Sequence, residues 1–153
     1  MKTETLTVLP AGTADADGIR ELERESFSDP WSSDSILSSL ASPLSYVRLA
    51  VREGKTIGYL IASMVLDEGE LLRVAVRPDC RLRGTGRLLI RTMLRENPGI
   101  RVWRLDVRES NYAARKLYES EGFCAVIRRR GYYEKPREDG IMMIRETPSD
   151  GIS

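Results

Sequence analysis

Residues 70–94 read Glu70-Leu71-Leu72-Arg73-Val74-Ala75-Val76-Arg77-Pro78-Asp79-Cys80-Arg81-Leu82-Arg83-Gly84-Thr85-Gly86-Arg87-Leu88-Leu89-Ile90-Arg91-Thr92-Met93-Leu94. Leu71 to Val76 is apolar with β-branched residues, the pattern of a buried strand. Pro78 lacks an N–H and ends it. After a short basic loop, Leu89, Ile90, Met93 and Leu94 recur at helical spacing. Strand, glycine-containing basic turn and helix in that order leave backbone N–H groups unpaired at a helix N-terminus, where the dipole favours an anion. Gly84 and Gly86 permit close approach to the backbone, and Arg81, Arg83 and Arg87 add charge. The stretch reads either as a pyrophosphate cradle or as a tight turn with a solvated basic rim. It is not a Walker loop, because no Gly-Lys-Ser/Thr follows. Nor is it the dinucleotide fingerprint, since Leu89 stands where a third glycine is needed.

The rest of the chain sets the frame. Its 153 residues suit one domain with a single core. With 41% hydrophobic and 31% charged residues, a soluble globular protein is expected. A net charge of +1 gives no basis for bulk nucleic-acid affinity. The longest apolar run, Tyr59 to Leu66, is far short of the ~20 residues that span a bilayer. Met1-Lys2-Thr3-Glu4 lacks the apolar core of a signal peptide, so a cytoplasmic, reduced setting is expected. With only Cys80 and Cys124 and no histidine, a zinc site is not expected and the commonest general base is missing. Both cysteines read as structural. Acid–base chemistry falls to carboxylates, Tyr, Lys, Cys or water.

In chain order, Leu6 to Leu9 predicts a short strand, and Asp15 to Phe27 a helix with Ile19, Leu22 and Phe27 near one face. Ser28-Asp29-Pro30-Trp31-Ser32-Ser33 breaks it. A second short helix turns Ile36, Leu37 and Leu40 inward and ends by Pro43. Trp31, between the two helices, plugs one end of the core, lines a substrate cleft, or does both. Tyr46–Val51 and Thr56–Val65 predict a hairpin through Glu53-Gly54-Lys55. Asp67-Glu68-Gly69 then turns into the strand at Leu71. Val102 to Val107 is a fifth strand, placed parallel by the intervening helix. Asn111 to Glu121 predicts a helix with Ser110 or Asn111 as cap and Gly122 at its end. Phe123–Arg129 and Ile141–Arg145 are the last two strands, joined by a long polar link through residues 130–140. One domain over 1–147 and a disordered tail over 148–153 complete the reading.

Two motifs carry a family resemblance. Arg81-Leu82-Arg83-Gly84-Thr85-Gly86, behind Val74-Ala75-Val76-Arg77-Pro78, resembles the acetyl-CoA loop and fourth strand of the GNAT N-acetyltransferase superfamily. Val107-x-x-x-Asn111-x-x-Ala114-x-x-Leu117-Tyr118-x-x-x-Gly122-Phe123 resembles its fifth strand and following helix. Asn111 and Tyr118, seven residues apart, project from one helical face. The segments Phe27 with Asp29-Pro30-Trp31-Ser32, Leu66-Asp67-Glu68, Ile127-Arg128-Arg129 and Tyr132-Tyr133 resemble the RimI-type ribosomal-protein alanine N-acetyltransferases in particular. The resemblance covers about Phe27 to Ile144.

It implies a single-domain α/β GNAT acyltransferase fold: a mixed, mostly antiparallel seven-stranded sheet flanked by about four helices, with the fourth and fifth strands splayed around the cofactor. It implies acetyl-CoA as cosubstrate, bound by Val74, Ala75, Val76, Leu82, Arg83, Gly84, Thr85, Gly86, Arg87, Asn111 and Tyr118. The acceptor is a protein N-terminal α-amine, as on a ribosomal protein, rather than a nucleic acid or membrane. Tyr118 becomes the acid that protonates the thiolate; otherwise it is a core tyrosine. Asn111 is a cofactor contact, a helix cap, or both. In RimI-type enzymes a glutamate of the fifth strand is the base. Asp106 stands at that place here, one methylene shorter, and relay through water would span the difference. Glu70 is the second candidate base. Arg104 and Arg108, on Asp106's own face of the strand, would make it a salt-bridge partner instead. A main-chain N–H near Val74 or Val76 would polarise the thioester carbonyl. Trp31, Tyr132 and Tyr133 border the acceptor groove by the same resemblance. The rival readings are a GNAT enzyme for a small amine or lysine side chain, and a CoA-binding module without turnover.

Overall fold

In the computed structural model, which describes residues 5–80 and 84–148, the sheet grows from a central meander. Strands β2 (Ser45–Arg52) and β3 (Lys55–Val65) form a hairpin through Glu53 and Gly54, whose φ values of 51° and 75° are those a two-residue turn with the sheet's twist requires. β3 is buried on both faces. Strand β4 (Glu68–Val76) follows, and β1 (Leu6–Pro10) pairs antiparallel with β2. Helices α1 (Ala16–Ser26) and α2 (Ser33–Ala41) link β1 to β2. They cover one face with Ile19, Leu22 and Ile36 against Val47, Leu49, Tyr59 and Ile61. Leu37, expected inward, is 41% exposed; Ile36 and Leu40 face the sheet, and a nine-residue helix on a sheet edge buries only a narrow stripe.

Helix α3 (Thr85–Glu96) packs Leu89, Ile90 and Met93 on the opposite face, against Tyr46, Leu60 and Leu71. Strand β5 (Val102–Arg108) runs parallel to β4, as the intervening helix predicted. Helix α4 (Tyr112–Ser120) joins α3 on that face, and the chain ends in strands β6 (Cys124–Glu134) and β7 (Arg137–Glu146). The sheet order is β1-β2-β3-β4-β5-β7-β6, mixed, with β4–β5 its one parallel pair.

Three boundaries differ from expectation. The turn before β4 comes at Leu66, with φ of 56°, and Asp67, so Glu68 and Gly69 already belong to the strand. Gly69 looks like a turn residue in the sequence but serves packing: a Cβ there would lie 2.4 Å from the Trp103 ring. The polar link expected over 130–140 is mostly strand, because β6 is an edge strand exposed over nearly its whole length and so carries no apolar alternation. Gly131, with φ of 60°, marks the irregular register there. The tail expected over 148–153, apart from Pro148, and the residues Arg81, Leu82 and Arg83 lie outside the described residues.

The feature that positions a site is the join between β4 and β5. Three positions pair, Glu68 with Val102, Gly69 with Trp103 and Glu70 with Arg104, and beyond them the ladder between these strands stops. β4 continues against β3 to Val76 and β5 against β7 to Arg108, so the two strands diverge into a wedge. A bulge sits next to the fork: Arg73 pairs with Ile61 and Leu71 with Ala62, which leaves Leu72 unmatched. The extra residue turns Arg73 to the α1 face, whereas strict alternation from Leu71 would have put it under α3. Replacing Gly69 by Ala is expected to destabilise the fold by about 1–3 kcal/mol through overpacking against Trp103, read as a lowered midpoint of thermal or denaturant unfolding.

Candidate active site

The wedge has a different chemistry on each face of the sheet. On the α3–α4 face, Gly84 caps α3 in a left-handed conformation (φ 82°) with no side-chain cap. The first-turn N–H groups of α3 therefore lack intrahelical partners. Thr85 is buried, and its hydroxyl has no hydrogen-bond partner among the described residues. Gly86 has a packing role: a Cβ would meet Leu117 of α4 at 3.2 Å. Arg87 is turned to α4, where it donates to the Ser120 hydroxyl (3.2 Å) and lies 3.4 Å from the Glu121 carboxylate. Val74 packs on the α3 side, and Ala75 on the α1 side.

Asn111 caps α4, its side chain accepting from the Ala114 N–H at 3.2 Å. Two turns on, Tyr118 is 8% exposed and meets Phe123 edge-on, with ring centres 5.9 Å apart. Burial, and then the neighbouring Tyr133 phenol, push the Tyr118 hydroxyl well above its usual range. It stays protonated and can donate a proton to an emerging anion.

On the α1–α2 face, Asp106 projects from β5 between the buried Leu105 and Val107. The pairing expected with Arg104 or Arg108 does not form. Arg104 lies 2.5 Å from Glu68, and Arg108 pairs with Glu138 and caps the carbonyls of Lys135 and Pro136. Asp106 is met instead from β6, two strands away: Arg129 Nε lies 3.2 Å from Oδ1, and the Tyr132 hydroxyl donates to Oδ2 at 3.4 Å. Tyr133 stacks edge-on to Tyr132 with centres 5.0 Å apart and lies under the Arg108 guanidinium at 4.4 Å. Burial first, then Asp106, raise both phenols, Tyr133 to about 12. Glu70 is exposed at the last paired position before the fork, and its charge reaches Tyr132.

Two side chains at this face were missed in the sequence. Glu23 of α1 is fully buried and takes both forks of Arg73, Nε and Nη2 each at 3.0 Å. It also accepts from the Tyr59 hydroxyl and from the Trp31 N–H at 2.7 Å. Arg73 further donates to the Asp29 carbonyl (3.0 Å) and covers the Phe27 ring at 4.0 Å. Trp31 is thus held in a loop wall, partly exposed, while it also packs against the core cluster under α1 and α2. The signal was present: Glu23 falls four residues after Ile19, on the apolar stripe of α1. The loop also touches the far wall, where Ser28 donates to the Lys135 carbonyl at 2.8 Å.

An acetyltransferase (GNAT) family model matches residues 16–123. This chain belongs to the GNAT acetyltransferase family. The ribosomal protein bS18-alanine N-acetyltransferase of Escherichia coli K12 is 35% identical over 141 residues, 90% of this chain and 95% of the relative. The enzyme of that name from Haemophilus influenzae is 33% identical, covering 84% and 90%. The crystal structure of the Escherichia coli ribosomal-protein-S18-alanine N-acetyltransferase superposes with a TM-score of 0.89 at 31% identity, over 97% of this chain and 99% of the other. Arabidopsis thaliana NAA60 with acetyl-CoA shares the fold, with a TM-score of 0.85 at 21% identity over 93% and 98%.

Acetyl-CoA is the donor in this GNAT fold. The residues present fit it, with a strand wedge, a helix N-terminus at Gly84 without a side-chain cap and a buried Thr85 hydroxyl without a partner, both among the described residues. Breaking the Glu23–Arg73 pair by Arg73→Met is expected to cost about 3 kcal/mol or more, because a buried carboxylate loses its counter-ion. The double change Glu23→Gln with Arg73→Met should recover part of this loss in denaturant unfolding.

Proposed function

We propose that this chain transfers acetyl from acetyl-CoA to the α-amine of a protein beginning with alanine, with ribosomal protein bS18 as the acceptor named in its relatives. The observation that carries the reading is the division of the wedge. A phenol held in its protonated form, Tyr118, stands on the cofactor face, and carboxylates, Asp106 and Glu70, stand on the other. A nucleophile entering from one face and a thioester from the other meet at the fork, as direct transfer requires.

Acetyl-CoA supplies an electrophilic thioester carbonyl. A main-chain N–H of β4 at the wedge wall polarises it. The acceptor enters between the loop carrying Trp31 and the β6–β7 hairpin carrying Tyr132 and Tyr133, which the Ser28–Lys135 contact ties together. An α-ammonium has a pKa near 8, so a modest base suffices to free its lone pair. Asp106 receives the proton, through one water where its shorter side chain falls short, and Glu70 is the alternative. The nitrogen forms a bond to the carbonyl carbon, the carbon–sulfur bond breaks, Tyr118 gives its proton to the thiolate, and the second proton shed by the acylated nitrogen passes through water to restore the Tyr118 phenol. Asn111, Leu82, Arg83, Gly84 and the first turn of α3 hold the cofactor's arm in this reading, with Arg87 bracing α3 on α4.

Among the described residues, no helix is long and apolar enough to cross a membrane. The test is acetyl transfer to a short peptide with a free N-terminal alanine, followed by free thiol and peptide mass. Asp106→Asn and Tyr118→Phe are each expected to fall by ~100-fold in kcat with acetyl-CoA binding retained. Modification of a lysine side chain or a polyamine, with the α-amine left intact, would overturn the assignment.

A further inference from the structure

Asp106 is an incompletely satisfied carboxylate. It is 17% exposed, and its Oδ1 is shielded from solvent without a hydrogen bond among the described residues. Arg129 Nε is 3.2 Å from that oxygen, close enough for an ion pair but off the axis of a hydrogen bond. Arg129 is fixed there from β6. Its chain spans β7, its Nη2 donates to the Met142 sulfur at 3.0 Å, and its guanidinium lies 5.3 Å from the Tyr132 ring centre. Met142 is the residue of β7 directly across from Asp106.

The surrounding charged and titratable groups are otherwise engaged or neutral. On β5, Arg104 goes to Glu68 and Arg108 to Glu138. On β4, Arg73 goes to Glu23, and Glu70 is a carboxylic side chain on the exposed edge of the fork. On β6, Tyr132 and Tyr133 stay protonated, their phenols raised by burial. Arg129 is therefore the cation paired with Asp106 among the described residues.

We propose that Arg129 is a positioning residue for acetyl transfer, aiming the Asp106 carboxylate into the groove and standing beside the acceptor's α-ammonium when both share that carboxylate. The proposal rests on the acceptor site argued above. An ammonium is compact and carries three donors, so it can reach the carboxylate through the part of the side chain that stays exposed, while the shielded Oδ1 stays with the guanidinium. Once it is bound, two cations face one carboxylate. The guanidinium cannot give up a proton, whereas the ammonium can. A neighbouring positive charge disfavours the charged form of an amine, so the arrangement favours the neutral nucleophile. The enzyme binds the ammonium less tightly and releases its proton more readily.

The test is the pH dependence of kcat and KM for an alanine-terminated peptide, on the wild type, Arg129→Met and Arg129→Lys. Arg129 is 41% exposed and outside the cofactor face, so both variants should bind acetyl-CoA as the wild type does. For Arg129→Met, the peptide KM should fall and kcat near neutral pH should drop. The acid limb of kcat should move up by about half a unit to one unit, the size one nearby charge gives in a half-solvated site. Activity should return at alkaline pH. Arg129→Lys should keep the limb near its original position. A limb that stays put, or a KM that rises, in Arg129→Met overturns the role of Arg129 while leaving the acetyltransfer reading intact. A wild type that modifies no α-amine overturns both.

Discussion

The buried pair between Glu23 and Arg73 is the contact on which the α1–α2 face of the wedge depends. Taking two charges out of water is expensive, and the cost is offset only when every remaining donor and acceptor is used. Here nearly all are: the carboxylate holds a bidentate guanidinium, a phenol and a main-chain N–H, and the guanidinium reaches a carbonyl and two rings. Such a pair adds little net stability over apolar packing, yet it admits only one arrangement of its partners. Those partners are α1, β3, β4 and the loop from Phe27 to Trp31, so one carboxylate sets the near wall of the groove. The bulge at Leu72 makes this possible by turning Arg73 to that face right beside the fork.

The opposite wall is set by Arg108. It stacks on Tyr133, binds two carbonyls of the hairpin turn and pairs with Glu138, whose carboxyl is held below its usual range by the Ser110 hydroxyl, then by the Ser110 N–H and Arg108. The hairpin is thereby fastened to the end of β5. The same arrangement takes Arg108 away from Asp106 and leaves that carboxylate to β6. Burial keeps the nearby phenols protonated in a chain that has no histidine, and the proposed mechanism divides the acid–base work between carboxylate and phenol.

Much of this was legible in the sequence, for local reasons. The β4–turn–α3 stretch, the Asn111 cap and the glycine after α4 follow from propensity and capping chemistry confined to a few neighbouring residues. The buried faces of α1 and α3 follow from helical period. The misreadings share a cause: residues whose role is set by a partner far along the chain. Gly69 read as a turn because the Trp103 ring it accommodates is 34 positions away. The β6–β7 hairpin read as a loop because an exposed edge strand has no apolar side to reveal its period. Gly86, read as a phosphate contact, has a packing role besides that the sequence did not reveal: it lets Leu117 of α4 pack close.

What the sequence by itself determined was the order of elements, their core faces and the family, because period-two and period-3.6 patterning and short motifs are local. Only the tertiary structure decided where charges are spent. The carboxylate that each cation near the wedge meets is fixed by backbone register rather than by nearness in sequence. The bulge gives Arg73 to Glu23, the three-pair joint gives Arg104 to Glu68, and the order β5-β7-β6 gives Asp106 to Arg129.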